Sequence, residues 1–136
     1  MFVRWKNRQC KDWREWHRRV DRTLSAYLVK SISVNGKPRQ KVLAFLASVR
    51  EFQLHCPYTQ GEEQASRNRT ARYHFWDQVS ARLSLLELTD EETQILSAQI
   101  AQVVPQLSLE ERFLCETDLA KSRERATSLF EMLRHG

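Results

Sequence analysis

Lys30, Lys37, Arg39 and Lys41 lie within residues 24–47, LSAYLVKSISVNGKPRQKVLAFLA, a stretch with no Asp or Glu. Cations held at strand spacing without acids among them recognise phosphate oxygens, so the chemistry is polyanion binding and not bond making. A strand edge guarded against aggregation by long basic side chains has the same composition. The two readings part on geometry. Polyanion binding requires an element that throws the cations together on one projecting face.

Asn35-Gly36 supplies the means, because a two-residue type I′ turn needs φ > 0 at both positions and this dipeptide tolerates it best. With those two residues as the loop, Val34 pairs with Lys37, Ser33 with Pro38, Ile32 with Arg39, Lys30 with Lys41, Leu28 with Leu43 and Ala26 with Phe45. Side chains alternate along a strand, so Lys30, Lys37, Arg39 and Lys41 share one face near the tip. Ala26, Leu28, Leu43 and Phe45 continue that face toward an apolar base. Val34–Lys37 is then the hydrogen-bonded pair that closes the turn, and Pro38 falls where it removes no ladder bond. Lys30 facing Lys41 is repulsive, and a polyanion lying across them would relieve that repulsion.

The flanking sequence suggests two more basic surfaces. Cys10, Trp13, His17, Val20 and Leu24 recur at spacings of three and four, which predicts a basic N-terminal helix. Arg8, Lys11, Arg14, Arg18 and Arg22 would lie on its remaining surface, interleaved with tryptophans. Trp and Arg together can stack on bases while meeting phosphates, although Trp13 and Trp16 serve equally well as core anchors covered by arginine stems. Farther on, residues 69–88 read as an amphipathic helix with Tyr73, Trp76, Val79, Leu83 and Leu86 on its apolar stripe. Arg67, Arg69 and Arg72 near its start oppose the helix dipole unless an anion sits there, or else they belong to a solvated turn.

Residues 57–68 mix Pro, Gly and small polar side chains, the composition of a linker loop. Thr89 with Glu92, and Ser108 with Glu111, are capping boxes that open two more helices, running to Val104 and to about Leu133. Ile95, Leu96, Ile100, Val103 and Val104 are the inward residues of the first. Leu109, Phe113, Thr117, Ala120, Leu129, Phe130 and Leu133 are those of the second. The expected fold is α+β and mainly α: a basic N-terminal helix and one β-hairpin over residues 1–56, the loop 57–68, and a three-helix bundle over 69–136, all as one compact unit.

Over residues 27–51 the run YLVKSISVNGKPRQKVLAFLASVRE resembles a segment near the start of some bacterial insertion-sequence transposases of the DDE type. It is also similar to small bacterial proteins with the same hairpin and a helical tail. Gly36, Lys37, Arg39 and Gln40 are the most specific part of the likeness, and Ala47 departs from it by standing where the pattern has Gly. The likeness implies a DNA-handling, mobile-element setting. It implies no transposase activity, because the catalytic domain with three metal-binding carboxylates is not represented.

Composition bounds the rest. The net charge of +5 is uneven: residues 1–55 hold 13 Lys and Arg against 4 Asp and Glu, whereas residues 56–136 hold 9 against 13. A basic half joined to a mildly acidic half suits a polyanion-binding face on a partner-binding body. No apolar run is long enough to span a membrane and no signal-peptide core is present, so a cytoplasmic protein is expected. Cys10, Cys56 and Cys115 are scattered, as reduced thiols are. Nucleotide-binding glycine motifs, metalloprotease motifs and nucleophile elbows are absent, so neither an enzyme nor a cofactor is expected. Cys10, His17, His55 and Cys56 could supply four zinc ligands but lack zinc-finger spacing, and no metal is assigned. Two functions remain: an accessory protein that binds nucleic acid, DNA ahead of RNA, or an adaptor or inhibitor subunit that binds a protein of a larger nucleoprotein complex.

Overall fold

The computed structural model describes residues 1–9, 22–51, 54 and 61–135. The chain opens in a strand and not in the expected N-terminal helix. Strand β1, Phe2–Gln9, runs antiparallel to β2, Arg22–Val34, which runs antiparallel to β3, Lys37–Arg50, in a sheet of order β1-β2-β3. The physical reason lies in alternation. Val3 and Trp5 point to one side and Phe2, Arg4, Lys6 and Arg8 to the other, a period of two that a helix would scramble. Leu24, assigned to the helix by spacing, is a β2 residue paired with Asn7. The remainder of the expected helix, including Trp13, Trp16 and His17, lies in residues 10–21, outside the described residues.

The hairpin turn is as anticipated, with Asn35 at φ 53° and Gly36 at φ 76°. The expected pairing also holds from Val34–Lys37 down to Val29–Val42. Below that the register changes twice. Leu28 pairs with Ala44, Tyr27 with Phe45 and Ala26 with Ala47, so the expected pairs Leu28–Leu43 and Ala26–Phe45 do not form. Each shift inserts one extra β3 residue, first Leu43 and then Leu46, as a bulge does. Leu46 and Ala47 both join the core as a result, and Phe45 is turned to the opposite side of the sheet.

Three helices follow: α1, Glu62–Leu85; α2, Asp90–Ala101; and α3, Leu109–His135. Residues 62–68, read as part of a loop, are the opening turns of α1. Gly61 adopts φ 72° immediately before them, a conformation costly for any residue with a Cβ. Both capping boxes form: Glu92 N–H donates to Thr89 Oγ1 at 3.2 Å and Glu111 N–H to Ser108 Oγ at 3.1 Å, with the glutamates accepting in return.

The expected three-helix bundle is not the architecture. The chain forms two compact units, residues 1–106 and 107–136, and α3 belongs to the second. In the first unit α1 and α2 share their core with the sheet. Ala26, Leu28, Leu46, Ala47 and Val49 meet Phe75, Trp76, Val79 and Leu83 of α1 and Leu96 and Ile100 of α2. Trp5 stacks on Phe75 with ring centroids 5.9 Å apart, and Val3 N–H donates to Gln99 Oε1 at 3.0 Å. The exit from α2 is fastened to α1, since Trp76 Nε1 donates to the Val104 and Pro105 carbonyls at 3.1 and 3.2 Å. Each large apolar side chain so buried contributes roughly 1.5–3 kcal/mol. Of the residues expected inward along this segment, Leu96, Ile100 and Val104 are buried, whereas Ile95 and Val103 are exposed. In α3, Leu109, Phe113, Leu129 and Leu133, read as inward, are exposed.

Candidate nucleic-acid interface

Strand β1 pairs with β2 only as far as Val29. Beyond that point residues 30–41 form a two-stranded ribbon, about 17 Å long at strand rise. Two-sided exposure leaves this ribbon with no apolar layer to stabilise it. The tight turn and the cross-strand ladder therefore carry its conformation. Lys30, Ile32 and Val34 alternate onto one face with their partners Lys41, Arg39 and Lys37, which brings the four cations together as the sequence implied. All four are exposed. Ion pairs join Arg22 to Glu51 at 3.5 Å and Arg69 to Glu62 at 3.4 Å, and among the described residues none engages Lys30, Lys37, Arg39 or Lys41.

The remaining candidates are dispersed. Arg8 is exposed on β1, and Arg22 lies at the far end of β2 from the turn. Lys11, Arg14 and Arg18 lie outside the described residues. Arg67, Arg69 and Arg72 are not at a helix start, because α1 begins at Glu62 and the dipole acts over the first turn. Arg72 is buried and its Nη1 donates to the Pro105 and Gln106 carbonyls at 3.4 Å, so it holds the chain beyond α2 in place. Among the described residues no three His, Cys, Asp or Glu side chains are placed to hold a metal, and His17, His55, Cys10 and Cys56 lie outside them. No helix among the described residues is long and apolar enough to cross a membrane.

The sheet face turned away from the core carries residues that sequence reasoning did not bring together. Register places Phe2, Arg4, Lys6 and Arg8 of β1 beside Val29, Tyr27, Ser25 and Thr23 of β2, with Phe45 across from Tyr27. The Tyr27 and Phe45 rings lie 5.3 Å apart, tilted by 56°. Lys6 Nζ sits 4.9 Å from the Tyr27 ring centroid. Arg82 of α1 places its guanidinium 4.8 Å from the Phe45 ring centroid and donates to the Phe45 carbonyl at 3.0 Å. Arg4 Nη1 donates to Gln40 Oε1 at 3.0 Å, a neutral partner that leaves its charge uncompensated by that bond. The signals for this face were the period-two run Phe2-Arg4-Lys6-Arg8 and the apolar doublets Leu43-Ala44 and Leu46-Ala47. Doublets on one strand opposite single apolar residues on the next are what bulges produce.

Taken together, the three strands contain Arg4, Lys6, Arg8, Arg22, Lys30, Lys37, Arg39, Lys41 and Arg50 and no Asp or Glu. The exposed cations of these strands attract anions, and the strands themselves offer no carboxylate for metal or acid–base chemistry. Comparison with protein-family models, with curated proteins and with solved structures gave no match to this chain.

Proposed function

We propose that the protein is a non-enzymatic, nucleic-acid-binding accessory protein whose basic ribbon lies along the phosphate backbone. The observation that carries this reading is the cation-only composition of a projecting two-stranded element, with Lys30, Lys37, Arg39 and Lys41 exposed on one face. Binding of this kind is largely independent of sequence and falls steeply with salt, because each neutralised phosphate releases counterions. The hairpin's likeness to insertion-sequence transposases supports DNA over RNA, a mobile-element setting and a cytoplasmic location. Converting Lys37, Arg39 and Lys41 together to Glu should abolish a mobility shift on duplex DNA at low salt. Unchanged binding would remove the ribbon from the account.

One observation favours a protein partner as well. Leu109, Phe113, Met132 and Leu133 of α3 are each more than 60% exposed, an apolar display that an adaptor subunit would use. Co-purification of a stoichiometric protein with nuclease-treated material, lost on converting Met132 and Leu133 to Ser, would support that role.

A further inference from the structure

We infer that the basic ribbon seats in the major groove of B-form DNA, its cationic face toward the groove floor and Ile32 and Val34 against thymine methyl groups. This deepens the nucleic-acid reading and rests on it. Width comes first. Pairing with β1 ends at Val29, so the ribbon beyond it is two strands wide. From residue 30 to residue 43 every side chain is exposed except that of Ile32, which is half-buried. The B-DNA major groove, about 12 Å wide and about 8.5 Å deep, admits a two-stranded ribbon, whereas the minor groove is about half as wide. A-form RNA keeps its major groove too deep and narrow for side chains to read. Laid along the groove of DNA, a ribbon of about 17 Å covers about five base pairs.

Composition decides which face turns inward. One face carries Lys30, Ile32 and Val34 opposite Lys41, Arg39 and Lys37, and the other carries Ser31 and Ser33 opposite Gln40 and Pro38. The groove is walled by phosphates and floored by acceptors such as guanine O6 and N7, which attract the first face and not the neutral second one. Within the cationic face the two strands differ. Strand β3 bears Lys37, Arg39 and Lys41 at alternate positions, about 7 Å apart. Strand β2 bears Lys30 followed by two aliphatic side chains, and Val34 is 40% exposed. The C5-methyl of thymine is the apolar group that this groove offers to such side chains, and the uracil of RNA lacks it.

The test uses the whole chain and a mixed-sequence DNA duplex of about 20 base pairs at low salt. Dimethyl sulfate methylates guanine N7 in the major groove and adenine N3 in the minor groove, so one reagent reports on both. At saturating protein, guanine N7 reactivity should fall about threefold or more, with adenine N3 close to its value in free DNA. Protection of adenine N3 alone, or of neither atom while the duplex is bound, overturns the inference and leaves backbone binding by the ribbon standing. Replacing every thymine by uracil removes the methyl groups without changing charge. Affinity should then fall about three- to tenfold, and Ile32→Ser combined with Val34→Ser should erase the difference between the two duplexes. Equal affinity of the wild-type chain for both, or a difference that persists in the double variant, overturns the assignment of Ile32 and Val34. A wild-type chain that binds no duplex removes the nucleic-acid reading itself.

Discussion

The two ends of the β2–β3 hairpin are made from one ladder and live in different environments. At its base Ala26, Leu28, Leu46 and Ala47 are buried against α1 and α2. At its tip residues 30–41 are almost wholly exposed and basic. Free energy of folding concentrates at the base, where apolar area leaves water. The tip contributes little stability and holds like charges opposed, Lys30 against Lys41. A protein under selection for stability alone would not keep that pair of lysines facing each other. The difference teaches that the base is a mount and the tip is the part being presented.

Substitutions that separate the two ends test this division. Phe75→Ala empties the layer beneath Ala26 and Leu28 and should cost about 3–5 kcal/mol in chemical denaturation. A loss well under 1 kcal/mol would mean that the base is not where the fold is held. Gly36→Val should cost about 1–2 kcal/mol, because a β-branched residue resists the φ of 76° there. Nothing lies within 4 Å of a Cβ at Gly36, so the cost is one of backbone conformation, and Gly36→Asn should recover most of it. Thr89→Ala removes the α2 cap and should cost about 1 kcal/mol, with nucleic-acid affinity unchanged. Lys41→Glu has the smallest effect on stability and the most informative sign. It should stabilise the fold by a few tenths of a kcal/mol through a cross-strand pair with Lys30, yet weaken duplex binding at low salt. Stability and affinity falling together would break the contrast between mount and tip.

Much of the tip was legible in the sequence because it follows from short-range rules. Asn35-Gly36 dictates the turn, the turn dictates the pairing as far as Val29–Val42, and alternation places the four cations. The capping boxes at Thr89 and Ser108 were legible for the same reason. What failed was non-local. The bulges at the base answer to packing against α1, and the doublets Leu43-Ala44 and Leu46-Ala47 are their trace within the hairpin. The expected N-terminal helix fails where the chain is described: Phe2–Gln9 alternates as a strand does and Leu24 pairs within β2. The bundle failed because amphipathic stripes specify that a helix face seeks cover without naming the cover. Those of α1 and α2 found the sheet, whereas Leu109, Phe113, Leu129 and Leu133 of α3 stayed exposed. The pairing of Phe45 with Tyr27 escaped notice because the extra residue at Leu43 turns Ala44 and Phe45 over relative to the expected register.

Because no residue beyond Lys30 and Lys41 reaches the core, the ribbon is a modular arm. Residue pairs could be added to or deleted from it two at a time, keeping the Asn-Gly bend, and the domain would fold as before. Each added pair of rungs would extend the reach by roughly 7 Å. Evolution could therefore fit this arm to partners of different girth without redesigning the body that carries it.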